Sequence, residues 1–160
     1  MSAANGQHLR PFFPAASDFA AATAPHFRFL VDVLRFTGPH VAGAATDAFD
    51  IRYDGRRVSV LLSWETEGAF FACQLIPRQA TGELERDDER WLSPNEILGA
   101  RGATDEWVTQ ADLDDVDEQG YGQVMERVAH NLRTYCADVL AGDWTIYEAA
   151  HRWLERQVRG

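Results

Sequence analysis

The 160-residue chain contains no lysine; all fifteen of its basic residues are arginine. Asparagine is scarce as well, with only Asn5, Asn95 and Asn131. Codon bias of a GC-rich genome produces both effects, so the missing lysine reads as ancestry rather than function. Cysteine is down to two, Cys73 and Cys136, each inside an apolar-patterned segment, and two small buried thiols are expected. A disulfide between them would need Cα atoms within about 7 Å. No stretch approaches the ~20 apolar residues of a membrane span. The first 25 residues lack a basic start and a continuous apolar run, and Pro11, Pro14 and Pro25 interrupt them. No secretory signal is read there, and a cytoplasmic location is expected. Catalytic signatures are missing too. Gly99-x-x-Gly102 has neither lysine nor a preceding strand, Gly120-x-Gly122 stands alone, and no G-x-S-x-G or H-E-x-x-H occurs. No cofactor, no metal and no enzymatic activity are expected.

What is present is acid, and it sits in one place. Residues 83–118 hold thirteen of the 25 carboxylates and three arginines, a net −10 that equals the charge of the whole chain. The other residues balance, twelve arginines against twelve acids. A field concentrated in this way repels nucleic acid and membrane phosphates and attracts basic protein surfaces or cations.

Length suits one domain with a real core, and five Trp with nine Phe argue against disorder. Residues 1–16 read as a flexible arm, followed by a single α+β domain over 17–160 that carries the acidic insert 83–118. Ser17 or Asp18 can cap a first helix with Phe27, Leu30, Val31, Leu34 and Phe36 at helical spacing, stopped by Gly38. Phe49, Ile51 and Tyr53 alternate with polar residues up to Asp54-Gly55, a two-residue hairpin signal that sets Ile51 opposite Val58 and Phe49 opposite Val60. The same face continues through Leu62 and Trp64, turns at Glu67-Gly68, and returns as Phe71, Cys73 and Leu75. Leu61, Phe70 and Ile76 fall on the other face. Val41 to Ala45 offers a weaker strand in front. The expected fold is an antiparallel meander of three to five strands packed with an N-terminal helix and two C-terminal helices. Ser93-Pro94-Asn95-Glu96 is a helix start ended by Gly99, and a second short helix can begin at Thr104 with Trp107, Val108 and Ala111 inward. Val124, Val128, Leu132, Tyr135 and Val139 form one helical stripe, widened by Met125, Ala129, Cys136 and Leu140 and closed by Gly142. Thr145 to Glu148 reads as a capping box for a last helix with Tyr147, Ala150, Leu154 and Val158 inward.

Residues Asp115 to Glu126 fit the spacing of a twelve-residue calcium loop, with Asp115, Asp117, Gln119 and Glu126 as oxygen ligands and Gly120 at the turn. Gln at the fifth position and Gly122 at an aliphatic position spoil the match. An acidic linker feeding a helix N-terminus is the simpler reading. The i,i+4 pairs His151/Glu155 and Glu126/His130 read as surface pairs, and Cys136 lies on a different helix face from His130. Trp91 and Trp107 differ from the other tryptophans in lying within the acidic insert. Aromatics amid carboxylates suit anchors against a basic protein. The candidate partner-binding residues are therefore Trp91, Trp107, Asp105, Glu106, Asp112, Asp114, Asp115, Asp117 and Glu118.

The order of helix, Asp-Gly hairpin meander, capped short helix and long helix ending Val139-Leu140-Ala141-Gly142-Asp143 resembles small bacterial immunity-type proteins encoded beside polymorphic secreted toxins. The segments that carry the resemblance are Phe27–Phe36, Ile51–Ile76, Trp91–Leu98 and Tyr135–Asp143. The resemblance implies a non-enzymatic cytoplasmic antitoxin that occludes a cognate, basic toxin, and it assigns no residue. An adaptor or chaperone for a secreted effector fits the acid as well. A small-molecule or metal-dependent enzyme stays open, because site residues can be scattered in sequence.

Overall fold

A computed structural model describes residues 13–45, 48–65, 70–78, 90–113 and 118–160. Helix α1 (Ala16–Asp32) leads into strands β1 (Thr37–Ala45), β2 (Ala48–Asp54), β3 (Val58–Glu65) and β4 (Phe70–Pro77). Helices α2 (Pro94–Ala100), α3 (Gln110–Leu113), α4 (Glu118–Tyr135), α5 (Ala137–Leu140) and α6 (Tyr147–Arg159) follow. The strands form one antiparallel sheet in chain order, so the fold is α+β. No helix among the described residues is long and apolar enough to cross a membrane.

Period-two alternation puts Ile51, Val58, Val60, Leu62, Phe71 and Leu75 on one sheet face, and all six are buried. The hairpin register differs from the expected one. Ile51 faces Leu62 and Phe49 faces Trp64, with Arg56-Arg57 at the tip. Gly55 instead closes the ladder, its N–H donating to the Val58 carbonyl at 2.8 Å. A Cβ at Gly55 would sit 2.5 Å from the Phe36 ring, so close packing of Phe36 sets its identity. The shift is an even number of residues, and the buried face is unchanged. Glu67-Gly68 lies outside the described residues; Trp64 pairs with Phe71 as the expected parity requires. On the other face Ile76 is buried, Leu61 is half-buried, and the Phe70 side chain is outside the described ones.

Helix α1 runs through Pro25, with Asp18 accepting from the Ala15 N–H at 3.0 Å. It ends before Gly38. Arg35 takes φ +62°, and the Phe36 N–H donates to the Leu30 carbonyl, which turns Phe36 inward and leaves Leu34 exposed. Phe13, within the sequence-assigned arm, is buried against Phe19, Trp64 and Tyr121. The long C-terminal helix is interrupted at Cys136 (φ −115°, ψ 12°) and resumes as α5. Its stripe is buried as expected, apart from half-buried Tyr135. The last helix lacks the expected capping box. Thr145 bonds Asp143 with its N–H and hydroxyl, and Ile146 holds the cap position without a side-chain bond. Val158 is exposed, because α6 rests on α2 rather than on the sheet. Helix α1 packs on β1, β2 and α4, and α2 packs on α4, α6 and β4.

Candidate functional site

The described part of the acidic segment over residues 90–113 is built into the fold. Leu92 forms a two-way main-chain bridge with Leu75 on β4, at 2.7 and 3.0 Å. Ser93 then caps α2, its Oγ accepting from the Glu96 N–H at 3.4 Å, with Pro94 in the first turn. Ile97 and Leu98 enter the core. Gly99 does not end this helix. It lies beneath Trp153 of α6, where a Cβ would come within 2.5 Å of the indole, so glycine lets the two helices touch. The expected helix from Thr104 is a single 3-10 turn, Thr104–Glu106, followed by extended backbone and by α3, with Ala111 exposed. Trp107 and Val108 are half-buried.

Three side chains from neighbouring elements hold this irregular stretch. Asn95 donates Nδ2 to the Val108 carbonyl at 2.7 Å and accepts the Val108 N–H on Oδ1 at 3.3 Å. Buried Asn131 of α4 donates to the Glu106 carbonyl at 2.8 Å. Arg127 of α4 donates to the Trp107 carbonyl at 2.7 Å and reaches Asp112 at 3.3 Å. Main-chain groups with no ladder partner are thereby satisfied by side chains. Sequence reasoning passed over Asn95, Asn131 and Arg127 as clasps. The available signal was scarcity, since Asn95 and Asn131 are two of only three asparagines.

The candidate residues divide by position. Asp105 is exposed, and Glu106 and Trp91 are half-buried. Asp112 accepts from the Thr109 N–H at 2.7 Å and hydroxyl at 3.0 Å, and those bonds with Arg127 hold its carboxyl below the usual range. The Trp107 ring meets Trp153 edge-on at 4.9 Å, and its buried Nε1 has no acceptor among the described residues. Trp107 is thus a pillar between the 104–109 turn and α6. Asp114, Asp115 and Asp117 lie outside the described residues, as does the Glu118 side chain. Glu96 is half-buried, and burial pushes its carboxyl up against opposing hydrogen bonds from Ser93.

Gln119, Gly120 and Glu126 of the calcium-loop pattern lie on α4, where seven helical residues separate Gln119 from Glu126 by about 10 Å along the axis. Glu126 bonds His26 at 2.8 Å and Arg133 at 2.9 Å instead of turning toward a shared point with Gln119. Among the described residues no three His, Cys, Asp or Glu side chains converge on a metal-sized site. Cys136 is fully buried with its thiol pushed up to about 12 by burial, and Cys73 is shifted up in the same way. Neither has the depressed value of a nucleophilic thiol.

A cavity of about 340 Å³ opens between β4 and this segment. Phe71 to Gln74 form one wall, Ser93 to Asn95 another, and Val108, Thr109, Leu113 and α4 the third. Comparison with protein-family models, curated proteins and solved structures returns no match for this chain.

Proposed function

We propose that the protein is a non-enzymatic, protein-binding inhibitor of immunity or antitoxin type, acting in the cytoplasm on a cognate toxin with a basic surface. The observation that carries the reading is the segregation of charge: net −10 within residues 83–118 of an otherwise neutral chain. The way residues 90–113 are held supports it, because a clasped and packed stretch presents Asp105 and Glu106 without paying to order them on binding. Exposed Asp105 and half-buried Glu106 lie on the part pinned by Trp107 and Asn131. The mechanism is occlusion steered by electrostatics, with carboxylates setting the association rate more than the final affinity.

The test is a pull-down and association-rate measurement with the product of the neighbouring gene. It is repeated with Asp112, Asp114, Asp115 and Asp117 changed to Asn. The expected result is association that slows in the variant and with added salt. Unchanged affinity and unchanged rate in that variant would sink the electrostatic mechanism. A partner contacting only the sheet or the C-terminal helices would assign the acid to solubility.

A further inference from the structure

Strand β4 ends the sheet order, and among the described residues its outer side makes main-chain bonds at Leu75 alone. Leu75 directs both its N–H and its C=O to Leu92. In an antiparallel ladder such pairs of groups alternate from one side of the strand to the other, so Cys73 and Phe71 direct theirs the same way as Leu75. The chain turns away from them after Leu92, because Ser93 and Pro94 begin α2. Among the described residues neither Cys73 nor Phe71 has a main-chain partner on that side. What lies there is the 340 Å³ cavity, walled by Asn95, Thr109, Leu113 and Asn131.

We propose that this recess takes an extended, basic peptide segment of the protein partner, added to β4 as a fifth strand beside Phe71 and Cys73. The inference rests on the protein-binding reading above and names its mode of contact. Main-chain bonds to Cys73 and Phe71 supply register, and the cavity receives one apolar side chain against Leu113 and Val128. Charge selects the occupant. Of the acids beside the recess, Asp112 is bonded to Arg127 and Glu126 to Arg133 and His26, so the selecting charge is Glu106 in the adjoining recess that shares Asn131, together with the net −10 of residues 83–118. A second copy of this chain is disfavoured by the same charges, since pairing two β4 edges brings two acidic segments together. The helical walls further restrict entry to a single extended strand rather than the edge of another sheet.

The probe is a seven-residue peptide of alternating arginine and valine, added to the full chain. Controls are the same peptide N-methylated at every residue, which removes the donors of both strand edges, and its glutamate–valine counterpart. Hydrogen exchange read by NMR should show the Phe71 and Cys73 amides slowed by about tenfold or more with the arginine peptide, and unchanged with both controls. Equal binding of the N-methylated peptide, or no change at those two amides, overturns strand addition while leaving the acidic-surface reading intact. Association of the natural partner that does not change with salt would overturn that reading by itself. Slowing by the glutamate peptide would overturn the assignment of a basic occupant.

Discussion

Gly99 and Trp153 are 54 residues apart and must touch for α6 to seat, which makes this glycine a packing residue rather than a helix stop. Gly99→Ala forces its new methyl into the indole and is expected to lower stability by about 1–3 kcal/mol in urea denaturation. Combined with Trp153→Leu, which vacates that space, the loss should be smaller than the sum of the two single losses. The carboxylates divide by the sign of their shift. The hydrogen bond from His26, then Arg133, holds Glu126 below its ordinary range. A depressed folded value contributes stability above the unfolded value of about 4.3 and loses it as pH falls through the folded value. The Glu126 side chain is 52% exposed, which keeps the contribution under about 1 kcal/mol. Burial raises Glu96, so the opposite holds: its protonated form suits the fold, and stability is gained as pH falls through the raised value. At neutral pH Glu126→Gln should therefore lower the urea midpoint and Glu96→Gln should raise it. Both differences should shrink toward about pH 3, where the carboxyls are protonated.

At the scale of elements, the stretch 104–109 has almost no regular structure of its own and is ordered by its neighbours. Asn95 alone satisfies both the N–H and the carbonyl of Val108. Asn95→Ala leaves both groups without these partners, at an expected cost of about 1–3 kcal/mol. The distinguishing readout is local. The Val108 amide should exchange faster by more than the global loss predicts, while the Leu62 and Val60 amides follow global stability. Equal acceleration everywhere would mean that Asn95 only supports the fold as a whole. Helix α1 and helix α4 are tied in a different way, through His26–Glu126 and through Arg133 over the Phe29 ring at 5.0 Å.

At the scale of the whole molecule, thirteen acids within 36 residues repel one another, and only three arginines lie among them in that segment. Asp54 illustrates how the remaining charge is settled locally: Arg52, Arg78 and His40 all approach it within 3.4 Å on the outer sheet face. Raising NaCl from about 10 mM to about 150 mM shortens the screening length from about 30 Å to about 8 Å. If repulsion within the acidic segment outweighs the scattered ion pairs, the melting temperature rises by about 2–4 °C, roughly 1 kcal/mol for a chain of this size. A fall with salt in a thermal melt followed by circular dichroism would show that the ion pairs dominate.

Sequence alone was sufficient for whatever depends on short-range periodicity. Alternation placed Ile51, Val60, Leu62 and Leu75 on one face, helical spacing placed Val124, Val128 and Leu132 in the core, and Ser93-Pro94 marked the start of α2. The faces survived an error in hairpin register because a shift by an even number of residues leaves every side chain on its side. Tertiary structure decided what depends on partners distant in the chain. Gly55 answers to Phe36 and Gly99 to Trp153, so neither could be read from its neighbours in sequence. Asn95 meets Val108 thirteen residues on, and His26 meets Glu126 a hundred residues on. The cavity exists only because Leu92 pairs with β4 for one residue and Pro94 then turns the chain into a helix. Such contacts follow from how the chain closes on itself, and no local pattern encodes which distant group a closure brings near.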